Sequence, residues 1–197
     1  EVELAHEFRY RDPIVNEKTL IVALSQSGET MDTLMAVRHA REQGAKVISI
    51  CNTHGSTLPR ESDAALYTHA GPEIAVASTK AFLAQITAAY LLGLYLAQLR
   101  GNKYKDEISA ILGELQKMPA KIQKVIDNDT LVKELGAEMK DTSSVIFLGR
   151  HVGFPVALEG ALKLKEISYI HAEGFAAGEL KHGPIALIEE GQPVIII

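Results

Sequence analysis

Between residues 19 and 50 the chain passes from a short apolar, β-branched run (Thr19–Leu24, TLIVAL) through a Ser/Gly corner (Ser25–Thr30, SQSGET) into a stretch with helical spacing. A glycine, Gly44, and a second apolar run, Ala45–Ile50 (AKVISI), follow. Apolar runs without alternation suit strands covered on both faces, the habit of parallel sheets. The helix is expected over Asp32–Gln43, from the spacing of Leu34, Val37 and Arg41 and the stop at Gly44. Strand, helix and strand in this order form a βαβ unit with a right-handed crossover. The class is therefore α/β.

The same opening recurs near residue 143. Ser143–Leu148 (SSVIFL) is a second buried-strand run, followed by Gly149-Arg150, a helix over Pro155–Ser168 and a further strand beginning at Val194. Between the two openings the pattern predicts a short helix near Leu58–Glu61, a weak strand over Ala64–Thr68 and a long helix over Ser78–Arg100. Three shorter helices are expected over Lys105–Gln116, Pro119–Asp127 and Leu131–Lys140. Two α/β lobes are expected, residues 1–128 with trailing helices and residues 129–197, both incomplete.

Composition excludes several classes. With 47% hydrophobic and 23% charged residues, the chain is neither disordered, nor collagen-like, nor a disulfide-stapled miniprotein. A formal charge of −5 lacks the basic footprint of a nucleic-acid binder. The single cysteine, Cys51, allows no intrachain disulfide and points to a cytoplasmic setting, with a buried structural thiol as its expected role. The start, Glu1-Val2-Glu3-Leu4, does not read as a secretion signal. The apolar stretch Ala81–Leu99 is broken by Gln85, Thr87, Gly93 and Gln98, and reads as a buried helix rather than a membrane span. With no initiator Met and an end on Val194–Ile197, the sequence reads as a piece of a longer polypeptide.

Four motifs carry chemistry. In SQSGET the hydroxyls of Ser25, Ser27 and Thr30 and the amide of Gln26 gather where a strand hands over to a helix. There the first N–H groups lack intrahelical partners and the dipole favours an anion. A phosphate could be held without any cation; ordinary N-capping is the plainer alternative. In Glu73–Lys80 (EIAVASTK), Ser78 and Thr79 open the long helix, and capping or a Glu73–Lys80 pair would explain them equally well. On the Pro155–Ser168 helix, Glu159, Lys163 and Glu166 share one narrow stripe at about 100° per residue. Such a stripe is either a solvated salt-bridge face or the lining of a cleft, where a carboxylate could act as a general base. Finally, Gly178–Pro184 (GELKHGP) sets His182 in a loop, able to exchange a proton near neutral pH. The other histidines show no metal-ligand spacing.

Together, LSQSGETMDTL (24–34), GPEIAVASTKAF (71–82), FLGR (147–150) and ALEGALKLKEISYIHAEGFAAGELKHGPIALI (157–188) give a chain that resembles the sugar-isomerase (SIS) fold family. Within that family it is similar to the isomerase part of the glutamine–fructose-6-phosphate aminotransferases. The resemblance implies an SIS-type three-layer sandwich, a parallel sheet flanked by helices, in two lobes. It also implies conversion of fructose 6-phosphate and glutamine to glucosamine 6-phosphate and glutamate. Carried over by motif, Ser25, Gln26, Ser27 and Thr30 would hold the phosphate, and Val76 (through its backbone) and Ser78 would contact the sugar. Glu166 would be the base between C1 and C2, Lys163 the lysine beside it, and His182 the ring-opening histidine, reaching the neighbouring subunit's site in a homodimer. No metal or organic cofactor is implied. The family's glutaminase domain, its first Gly/Thr/Ser-rich turn and its Schiff-base lysine are expected outside these 197 residues, so that the chain alone would lack full activity. An SIS deglycase, a sugar-phosphate isomerase and a non-catalytic SIS sensor of sugar phosphates are the alternatives; the sensor would have no use for Glu166, Lys163 and His182 together.

Overall fold

The computed structural model describes residues 1–197, which form two compact units, Glu1–Leu112 and Gly113–Ile197. The division falls at 112/113 rather than at the residue 128 expected from sequence, so the last of the trailing helices go with the second unit.

In the first unit, a short helix α1 (Ala5–Phe8) precedes strand β1 (Leu20–Ser25), helix α2 (Met31–Glu42), strand β2 (Lys46–Cys51), helix α3 (Thr57–Arg60) and strand β3 (Ala64–Tyr67). The strands pair in parallel in the order β1-β2-β3, with Leu20 opposite Lys46, Ser25 opposite Cys51 and Cys51 opposite Tyr67. Ala23, Leu34, Val37, Val47 and Leu58 form the core between sheet and helices, and Phe8, Ala36, Ala40 and Ala45 pack a second cluster under α1. Strands β1 and β2 each end one residue later than the sequence pattern suggests because pairing carries Ser25 and Cys51 into the ladder, and β3 ends one residue earlier, at Tyr67.

Helix α4 (Thr79–Leu99) departs from expectation. By length and composition it could cross a membrane, and sequence marks it as buried, yet only Ala81, Leu92 and Leu94 are buried in this chain. Leu83, Ile86, Tyr90, Leu91, Tyr95 and Leu99 are exposed. An apolar helix announces its need for cover in its composition, but nothing local says where the cover comes from. Helix α5 (Lys105–Leu115) follows it.

The second unit contains α6 (Met118–Asp127), α7 (Thr130–Glu138), β4 (Ser144–Gly149), α8 (Gly153–Ser168), β5 (His171–Ala176) and β6 (Val194–Ile196). Its strands are parallel in the order β5-β4-β6. The core is Val145, Phe147, Ala157, Ala161 and Ala172. Strand β5 escaped the sequence reading, and the stretch read as a loop around GELKHGP is two 3-10 turns, Ala177–His182 and Pro184–Leu187. Both sheets are flanked by helices in the manner of parallel α/β folds.

Candidate functional site

The corner after β1 is built from its own hydroxyls and from the chain after β2. Ser25, buried at the end of β1, accepts the Gly28 N–H on Oγ at 2.9 Å, and Ser27 Oγ accepts the Glu29 N–H at 3.2 Å. A hydroxyl that accepts in this way keeps its O–H for a ligand. Gly28 lies at φ +70°, and a Cβ there would stand 2.1 Å from Ser56 Oγ and 2.8 Å from Cys51 Sγ. The Gln26 carbonyl accepts the N–H groups of Asn52 and Thr53, both at 3.2 Å, and the Gly28 carbonyl accepts that of Leu58 at 2.9 Å. Glu29 Oε1 accepts the Thr57 N–H at 2.8 Å. This holds the Glu29 carboxyl below its ordinary pKa.

Thr30 occupies the N-cap position of α2 without making a side-chain cap hydrogen bond. Capping therefore does not account for it. The first N–H groups of α2, the free O–H groups and the Gln26 amide can together meet an anion with no Lys or Arg in the corner.

Ahead of α4, Ser78 adopts a left-handed conformation (φ +55°) and makes no cap bond, while Val76 is 90% exposed. Lys80 Nζ donates to the Pro72 carbonyl at 2.5 Å, so the Glu73–Lys80 pair considered from sequence does not form. Glu73 Oε2 is shielded from solvent without a hydrogen-bond partner. A cavity of about 670 Å³ at the C-terminal ends of the strands is lined by Gln26, Asn52, Thr53, His54, His69, Gly71, Pro72 and Glu73. Open parallel sheets carry their ligands at this end. Of the residues singled out from sequence as ligand contacts, Gln26 alone lines that cavity. The residues after β2 that pin the corner were missed; their position at a strand's C-terminal end was the available signal. Cys51 is buried and free, its Sγ 3.5 Å from Ser56 Oγ, in keeping with a structural thiol.

In the second unit, Lys163 Nζ lies 2.6 Å from Glu166 Oε2 and 3.4 Å from Glu159 Oε1. The three side chains are 21–28% exposed, too covered for a freely solvated salt-bridge face. Partial burial works against the Lys163 charge, but the Glu166 hydrogen bond and both carboxylates outweigh it, and the pKa is raised. Lys163 Nζ thus bridges the Glu159 and Glu166 side chains as an ammonium. His182 ends its 3-10 turn exposed, with no hydrogen bond or ion pair linking it to the stripe on α8.

A family model described as "SIS domain" matches residues 1–95 and 138–197. The chain belongs to the SIS domain family. The two matched stretches of SIS domain contain the corner, the α4 entry, the α8 stripe and His182. This SIS chain is 82% identical over its full length to glutamine–fructose-6-phosphate aminotransferase (isomerizing) of Corynebacterium efficiens and 68% identical to the protein of that name from Mycobacterium tuberculosis. It spans 32% of the length of each of these relatives. Among solved structures, it superposes with a TM-score of 0.96 on the C-terminal domain of glucosamine-fructose-6-phosphate aminotransferase from Francisella tularensis. That match is 45% identical and covers all of this chain and 56% of the other.

Proposed function

We propose that this chain is the isomerase portion of a cytoplasmic, homodimeric enzyme that makes glucosamine 6-phosphate and glutamate from fructose 6-phosphate and glutamine. The observation that carries the reading is the sheltered Glu166–Lys163 pair, a carboxylate held against an ammonium at 2.6 Å on a covered helix face. A sensor of sugar phosphates would need the corner after β1 but not this pair.

In the proposed mechanism Ser25, Gln26, Ser27 and Thr30 hold the phosphate ester, and the Val76 backbone and Ser78 contact the sugar. His182, from the neighbouring subunit, moves the proton that opens the ring. The Glu166 carboxylate takes a proton from C1, beside the C2 carbonyl, and returns it to C2 through an enediol-type intermediate, while the proton of the C1 hydroxyl passes to the C2 oxygen. Lys163 offsets the negative charge that develops, as positioned cations do in such transition states. The two SIS lobes would be built on the two parallel sheets, β1–β3 and β4–β6. Uncovered apolar side chains on α4, and helices α6 and α7 with no buried residue, support burial against further protein in the assembled enzyme.

The test is Glu166→Gln in the full-length enzyme. Isomerisation should be abolished while glutamine hydrolysis persists. Exchange of the C1 or C2 proton with deuterated water at the wild-type rate would remove Glu166 as the base.

A further inference from the structure

We propose that Glu29 is a positioning residue for the anion-binding corner: its carboxylate, bound to the Thr57 N–H, holds residues 26–28 in the shape that presents them to a phosphate ester. The inference rests on the reading of the corner as the phosphate site. Electrostatics alone argue against a carboxylate here. The corner has no cation, and a second negative charge beside a bound phosphate repels it. What the carboxylate does instead is visible in the geometry. Every other tie between the corner and the segment after β2 ends on a backbone carbonyl of the corner: Asn52 N–H, Thr53 N–H and Thr53 Oγ1 on Gln26, and Leu58 N–H on Gly28. Glu29 supplies the one tie made by a corner side chain, Oε1 to the Thr57 N–H at 2.8 Å. It sits between Gly28, whose left-handed backbone brings the chain hard against Ser56, and Thr30, whose hydroxyl is not used for capping. Releasing it frees the middle of the corner to move relative to Ser25.

Charge and position predict opposite signs, which makes the assay decisive. In the full-length enzyme, Glu29→Ala removes both charge and tie, whereas Glu29→Gln removes the charge but keeps an oxygen for Thr57. Positioning predicts that Glu29→Ala weakens fructose 6-phosphate binding by calorimetry about fivefold or more and raises KM with little change in kcat. Glu29→Gln should restore wild-type affinity or better, and amide exchange at residues 26–28 should accelerate in Glu29→Ala only. Equal or tighter binding by Glu29→Ala, or unchanged exchange at those amides, overturns the proposal. If the wild-type enzyme itself binds no fructose 6-phosphate, the phosphate reading of the corner fails and takes this inference with it. If the wild type binds and the Ala variant binds equally, the inference alone fails.

Discussion

Gly28→Ala is the sharpest test of how the corner after β1 is built. Two separate penalties meet at this residue. The first is conformational: at φ +70° an L-residue bears the strain of the left-handed region, about 1–2 kcal/mol. The second is steric: the new methyl would stand 2.1 Å from Ser56 Oγ, 2.8 Å from Ser56 Cβ and 2.8 Å from Cys51 Sγ. Overpacking of a filled site costs about 1–3 kcal/mol. Ser56 cannot swing away freely, because its Oγ donates to the Thr53 carbonyl at 2.8 Å and the residue is 4% exposed. The total is about 2–5 kcal/mol, a large part of the roughly 5–15 kcal/mol that holds a domain together. Urea denaturation should show this as a lower midpoint at unchanged slope. Ser56→Gly separates the two penalties by removing two of the three crowding atoms. In a double-mutant cycle, Gly28→Ala on the Ser56→Gly background should recover about 1–2 kcal/mol of the steric share and none of the conformational one. A loss below about 0.5 kcal/mol for the single variant, within the range of an ordinary surface change, would refute the reasoning.

Two further predictions concern the scaffold. Gly149→Ala would place a methyl 2.1 Å from the Gly153 carbonyl oxygen, and backbone cannot turn aside as a serine can. Its loss in urea denaturation should exceed about 3 kcal/mol, and a loss smaller than that of Gly28→Ala would contradict the close seating of α8. Acid sensitivity should trace to Glu61 and Asp63. Glu61 is lowered chiefly by its paired hydrogen bonds from Arg38 (2.6 and 2.8 Å), and Asp63 chiefly by the Val47 N–H (2.8 Å). Both folded pKa values lie below the ordinary 4.5 and 3.8, so their contribution is complete above those values and lost as the pH falls through the folded ones. Thermal unfolding followed below pH 4.5 should show a declining limb that Glu61→Gln with Asp63→Asn flattens; an unaltered limb would exclude them as its source.

The βαβ opening was legible because its first two strands are unbroken apolar runs and its helix carries a plain apolar spacing; the two-sided cover those runs imply is not complete in this chain, where Leu20, Val22 and Leu24 of β1 are exposed. The stripe on α8 was legible for a similar reason, since residues four and three apart must meet on a helix. Strand β5 was not. His171–Ala176 contains Gly174 where a β-branched residue would advertise a strand, and a Cβ there would come 3.0 Å from Leu158 Cα. Close helix packing, a tertiary requirement, overrode the local preference. Residues 52–58, which pin the corner from more than twenty positions away, were hidden for the same reason: sequence shows local periodicity, not which carbonyl a distant N–H will find. The α4 helix shows the limit from the other side, with its apolarity plain and its covering surface unspecified.

Small residues line the underside of α8. Gly153, Ala157, Gly160 and Ala161 lie along one side of the helix, and extra methyls at Gly149 and Gly160 would strike Gly153 and the Phe147 ring. At about 100° per residue, Glu159, Lys163 and Glu166 sit nearly half a turn round from that seam. The helix is thus keyed into its seat like a blade in a slot, unable to roll, while the edge proposed to carry the chemistry faces the opposite way. Side chains on that edge can be exchanged residue by residue without unsettling the mounting, and a designer placing new chemistry on this scaffold should redraw the edge and leave the slot untouched.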